Sequence, residues 1–175
     1  MTTPAPTKVA LAATVAVTAA GLVAFTALAG AIDVDPRLAG WFLLLFAVLF
    51  LVRVAAQIVV ALRGPPWLPP MHDWHLMPYR LLLPIQVVFL AVMAWLVRDF
   101  LAGSGRLTEP SPDVGLVVVG LSALYAGAMV VRYVVRMRRR PDQRWFGGAI
   151  PIVFHWVLAS FLFVLGFYHG SYDSF

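Results

Sequence analysis

Of 175 residues, 62% are apolar and 12% charged, against roughly 45 to 50% and 25% in a soluble domain, so most of the length must face hydrocarbon or other helices. The formal charge of +5 does not point to nucleic acid, because the arginines lie at the ends of apolar runs, where they report orientation. With no cysteine, disulfides, thiolate metal sites and thiol redox catalysis are excluded. At about 20 residues per span, the chain accommodates membrane helices with short connections and no soluble domain. The expected fold is all-α, a polytopic transmembrane helical bundle of five spans forming one domain.

The first apolar run, 9–32, follows Lys8 and stops at Asp33. Ala12, Ala16, Ala20 and Ala24 recur every fourth residue, which places them on one helical face and predicts close packing there. A cleaved signal peptide is the rival reading, given the small residues Ala29, Gly30 and Ala31. Against it, a signal's apolar core normally runs about 7 to 15 residues, and this run is longer. Span two, 41–62, opens on Trp41 at an interfacial position. Arg53 interrupts it, with Gln57 one turn further on the same face. A mid-helix arginine costs about 2.5–3.5 kcal/mol on insertion scales, so it must snorkel or find a partner. Asp73 is the nearest acid in sequence and sidedness.

The stretch 63–80, RGPPWLPPMHDWHLMPYR, is the only long polar and proline-rich segment between apolar runs. Its prolines restrict the backbone and push their preceding residues toward extended conformations. An ordered cytoplasmic cap is therefore expected, anchored by Trp67 and Trp74 at the interface. It presents His72, Asp73, His75 and Tyr79. Span three, 81–101, has Pro84 in its first turn, where a missing amide donor matters least, and Gln86 near its start. A turn-rich loop with Gly105, Pro110 and Pro112 leads to span four, 114–135. There Gly120, Ala123 and Gly127 share a face and predict a second close-packing seam. Tyr125 and Tyr133 read as packing and interface residues. Arg132, Arg136, Arg138, Arg139, Arg140 and Arg144 follow, and span five occupies 149–168. In it His155, Ala159, Leu162, Gly166 and His169 form a stripe at steps of four, three, four and three, expected to face the bundle.

Arginine asymmetry orients these spans. With the amino terminus cytoplasmic, Lys8, Arg63, Arg80 and the 132–144 cluster lie inside, while Arg37, Arg98 and Arg106 lie outside with the carboxyl terminus. The location expected is a bacterial-type plasma membrane, with membrane lipid and other membrane subunits as candidate partners.

This topology brings Arg53, Gln57, Gln86 and His155 to one depth near the cytoplasmic leaflet, with Asp73, Trp74 and Tyr79 above them. The sequence holds no HExxH, no GxSxG and no Walker loop, and the one acidic residue within a span, Asp99, closes the far end of span three, which leaves none in the membrane interior. The leading expectation is thus a non-catalytic protein. It is either a subunit of a membrane complex or a binder of a small amphipathic molecule, a lipid or quinone, at the cytoplasmic leaflet. The alternative is a redox protein holding b-type haem or a transition metal through His155 with His72 or His75.

The absence of native cysteine makes the topology directly measurable. Single cysteines at Ser104 and Ser174 should react with an impermeant thiol reagent from outside intact cells, and one at Gln143 should not. Labelling of the Gln143 cysteine alone reverses the orientation.

Overall fold

The computed structural model describes residues 5–32, 34–65, 79–139 and 150–171, with the side chains of 5, 6, 79 and 80 excluded. The fold is all-helical, with five helices long and apolar enough to cross a membrane. These are α1 (Ala5–Ala29), α2 (Pro36–Arg63), α3 (Tyr79–Ala102), α4 (Pro112–Arg139) and α5 (Ile150–Gly170). A short 3-10 turn, Arg106–Thr108, lies between α3 and α4. Asp33 and most of the 63–80 segment fall outside the described residues.

Local chemistry sets the helix ends. The Asp35 carboxylate accepts the Leu38 amide at 2.6 Å and Pro36 occupies the first turn, so α2 begins five residues before the position inferred from apolar content alone. It closes at Gly64, whose positive φ of 53° lets its amide bond the Val60 carbonyl at 3.0 Å. At the other end of the bundle Gly103, at φ 63°, turns the chain out of α3. Pro84 sits inside α3.

α5 is the hub. It packs against α4, α2 and α1, while α3 packs on α2. Burial follows this arrangement: Ile150, Val153, Val157, Phe161, Val164, Leu165 and Tyr168 of α5 all belong to the core. Near the arginine-poor end, Phe25 of α1 sets its ring edge-on to Phe42 of α2 at 5.2 Å and to Phe167 of α5 at 5.5 Å. Such pairs are worth about 0.5–1.5 kcal/mol each beyond area burial. Phe100 of α3 meets Tyr168 at 4.9 Å.

Small residues decide where the helices come closest: Ala159 and Gly166 of the α5 stripe do lie at a close approach, but the α1 and α4 faces whose spacing suggested one do not. Ala12, Ala16, Ala20 and Ala24 are all exposed, and α1 packs instead through Leu11, Thr18, Gly21 and Phe25. Likewise Gly120, Ala123 and Gly127 are exposed, and a Cβ on either glycine would meet nothing within 4 Å. The reason is that every residue of these helices is apolar or small over long stretches, so several faces satisfy a small-residue spacing and only partner shape selects among them. The α4–α5 approach runs through Gly115 and Gly166. A Cβ on Gly166 would fall 2.7 Å from the Val119 amide nitrogen, and one on Gly115 would fall 2.5 Å from that of Gly170. One turn deeper the Ser122 hydroxyl donates to the Ala159 carbonyl at 2.8 Å, which is feasible only because the backbones are this near.

The loop joining α3 to α4 is pinned onto the end of α5. The Tyr168 hydroxyl donates to the Thr108 carbonyl. The Ser111 amide donates to Nδ1 of His169 at 3.3 Å.

These contacts separate two sets of glycines. Gly166→Ala should lower stability by about 1–3 kcal/mol, the usual cost of overpacking, whereas Gly120→Ala should stay within about 0.5 kcal/mol, as for surface positions. Thermal unfolding of the two variants in detergent checks this, and equal losses would contradict the α4–α5 seam.

Candidate functional site

The expected site residues divide into those the structure brings together and those it does not describe. His72, Asp73, Trp74 and His75 lie outside the described residues, and so does the side chain of Tyr79. The capped site, the Arg53–Asp73 pair and any haem or metal set of His155 with His72 or His75 therefore rest on residues whose placement is not given. Among the described residues no three His, Asp or Glu side chains gather as a potential metal set.

Arg53 and Gln57 of α2 are buried, 4% and 0% exposed. The guanidinium Nη1 donates to Gln57 Oε1 at 2.8 Å, and its Cζ lies 5.9 Å from the centroid of the Phe154 ring on α5. A mid-helix charge is thereby held by a side-chain oxygen one turn away and by an aromatic face. Gln86 of α3 is also buried. Counting along both helices from the contact of Gly40 with Leu101 puts Gln57 level with Pro84 and within about one turn of Gln86. Gln57 Nε2 and Gln86 Oε1 are buried with no hydrogen-bond partner among the described residues.

His155 takes no part in this cluster's hydrogen bonds. It is half-buried and packs its ring 5.6 Å from that of Tyr125 on α4, whereas Arg53 reaches α5 through Phe154. Of the α5 stripe, Ala159, Gly166 and His169 are buried, and His155 and Leu162 are partly exposed. The stripe thus spans more than one interface and does not line a single site. His169, 1% exposed, belongs to the loop attachment at the arginine-poor end, where its Nδ1 accepts from Ser111 and its ring lies edge-on to Phe100 and Tyr168.

A different feature has the shape of a binding site. α1 and α4 both lean on α5 and share almost no contact with each other, which leaves a cleft between them with α5 as its floor. Its deep part is a cavity of about 360 Å³ lined by Val15, Thr18 and Leu22 of α1, Ala126 of α4, and Trp156 and Phe163 of α5, among others. This falls within the roughly 300–1,000 Å³ typical of small-molecule sites. Three hydroxyls line it, and each is bonded to a carbonyl: Thr18 to Thr14 at 2.7 Å, Ser122 to Ala159 at 2.8 Å, and Ser160 to Trp156 at 2.9 Å. The wall is consequently apolar despite them. Toward the arginine-poor end the cleft widens into a cavity of about 940 Å³ formed by Ala29–Ile32, Pro112, Asp113, Gly170 and Ser171 with neighbouring residues. Val119 borders both cavities, which lie next to each other along α4.

Periodicity offered no signal for this cleft, because α1 and α4 are distant in sequence and the cleft exists through their separation. The residues missed are small or apolar ones in helices made of such residues. No family model, no curated protein and no solved structure matches this chain.

The buried Arg53–Gln57 pair gives a measurable consequence. Gln57→Leu removes the acceptor of a buried charged donor and should lower stability by about 1.5–3 kcal/mol, the range for hydrogen bonds to charged groups. Unfolding in mixed micelles measures it. A loss below about 0.5 kcal/mol, the scatter of neutral substitutions, would show that Gln57 does not hold the guanidinium.

Proposed function

We propose that this integral membrane protein is a non-catalytic binder of a small amphipathic molecule, lodged in the cleft between α1 and α4. The observation that carries the reading is the cleft itself: an apolar hollow along α5 with a more polar hollow next to it at one end of the bundle, Val119 bordering both. Such a gradient matches a molecule with a hydrocarbon part and a polar part aligned along the membrane normal. The sequence carries no catalytic template to set beside it. The residues lining the deeper cavity are alkyl, aromatic and backbone-bonded hydroxyl groups, which bind without supplying a nucleophile or a general base.

A second reading, a polar group bound at the cytoplasmic leaflet, is favoured by one observation. Gln57 Nε2 and Gln86 Oε1 provide a buried donor and a buried acceptor without described partners, and buried polar groups are normally satisfied.

Purification in a mild detergent followed by native mass spectrometry tests the main reading. Protein is expected to retain a bound amphiphile after detergent exchange. Ala126→Phe, which projects a ring into the deep cavity, should strip it while leaving the melting temperature within a few degrees. Retention of the amphiphile by this variant would rule out the cleft. The same sample's absorption spectrum addresses the redox alternative, for which a Soret band is the expected signature.

A further inference from the structure

The polar mouth of the cleft has a definite electrostatic sign. Two helices, α1 and α5, finish there: Ala29, Gly30, Ala31 and Ile32 come from the end of one, and Gly170 and Ser171 from the end of the other. Helix carboxyl ends carry about half a negative charge each, from carbonyls directed along the axis. Two helices, α2 and α4, begin at the same end: Val34, just before α2, lines the mouth and Asp35 caps that helix, while the first turn of α4 contributes Asp113, so each positive dipole end has a carboxylate beside it. Asp113 is the only charged residue among the described residues lining the mouth. It is exposed, and its carboxylate makes no hydrogen bond or ion pair among the described residues. Among the described residues no arginine or lysine lines either cavity.

The deeper cavity constrains the other half of the ligand. Its volume of about 360 Å³ lies at the small end of ligand sites. It is a groove between two helices over a third, with room for one hydrocarbon chain.

We infer that the cleft selects a single-chain amphiphile with an ammonium head, the chain lying along α5 between Val15, Leu22 and Ala126 and the ammonium beside Asp113 and the ends of α1 and α5. This rests on the amphiphile-binding reading and adds to it the chemical class of the ligand and the end of the bundle at which its head sits. An anionic head would meet a carboxylate and two negative helix ends with no basic residue to compensate. A neutral hydroxyl head would gain hydrogen bonds alone. A protonated amine gains both hydrogen bonds and charge attraction to the carboxylate. The arginines in the last turn of α4, which would favour anionic headgroups, lie at the opposite end.

The experiment compares tetradecylamine, tetradecanol and tetradecanoic acid, equal in chain and different in head, for binding to the full chain in dodecylmaltoside at neutral pH. Titrations with native mass spectrometry as readout are run on the parent protein, Asp113→Asn and Ala126→Phe. The amine should bind about tenfold more tightly than the acid, the size expected for one favourable against one unfavourable charge contact, with the alcohol between them. Asp113→Asn should bring the amine to the level of the alcohol and leave the alcohol unchanged. Ala126→Phe should weaken all three. If the acid matches or exceeds the amine, or if Asp113→Asn leaves the ranking intact, the head-group assignment is overturned while amphiphile binding stands. Displacement of tetradecylamine by a two-chain phosphatidylethanolamine at equal concentration overturns the single-chain assignment. If none of the three binds, or Ala126→Phe changes nothing, the amphiphile-binding reading falls and takes this inference with it.

Discussion

Contact between the backbones of α4 and α5 is the constraint on which the rest of the bundle depends. Inside a membrane, lipid tails are as apolar as the side chains they replace, so helices gain little by hiding leucine from solvent and associate through close van der Waals packing and interhelical hydrogen bonds. Gly115 and Gly166 remove the side chains that would hold the axes apart, and Ser122 then reaches the Ala159 carbonyl. With α4 fixed this way along one side of α5, the other faces of α5 are left for α2 and α1. The cleft is a by-product of the same geometry. α1 is drawn to α5 and α2 by Phe25, whose ring is fully buried between Phe42 and Phe167, and nothing of comparable shape draws it toward α4.

Charge at the two ends of the bundle is treated differently from charge inside it. The terminal arginines sit at helix ends, where water and headgroups would screen them. Arg53 has neither, and its environment shows what a membrane interior demands of a cation: a fixed oxygen donated by its own helix and an aromatic surface from a neighbour. A chain this apolar otherwise places hydroxyls where they can bond the preceding turn, as Thr14, Thr18, Thr26, Ser160 and Ser171 all do. Those side chains neutralise themselves and leave the outer walls of the helices lipid-compatible.

Much of the fold was legible in the sequence because membrane helices announce themselves by length and composition, and the five apolar runs correspond to the five helices. Helix starts were harder to read where a cap sets them: the Asp35–Pro36 pair was present in the sequence, yet apolar content alone placed α2 several residues late. Packing faces were only partly legible: the α5 stripe contained Ala159 and Gly166, which do meet α4, but the matching face of α4 was missed. Spacing of small residues selected the Ala12–Ala24 and Gly120–Gly127 faces, both exposed, and passed over Gly115, which lies outside that spacing. In a helix where nearly every position is compatible with both lipid and protein, the sequence carries almost no contrast between the two, and contact is decided by the partner. The burial of Arg53, Gln57 and Gln86 was anticipated better because polar groups do supply contrast. The α1–α4 cleft had none to offer, being defined by residues that do not meet.

The position of the hub along the chain has a consequence for how the bundle comes to exist. α5 is the last of the five helices to leave a ribosome, and chains generally organise from their amino-terminal side during synthesis. Until it arrives, α4 has no surface for Gly115 and Ser122, the 103–111 loop lacks the Tyr168 and His169 side chains that hold it, and α1 is without the Phe167 ring. Contacts among α1, α2 and α3 can form early, through Phe25 against Phe42 and Gly40 against Leu101. Assembly is therefore gated by one late insertion event, and a ribosome stalled before Ile150 would leave a set of inserted, unassembled helices exposed to membrane quality control.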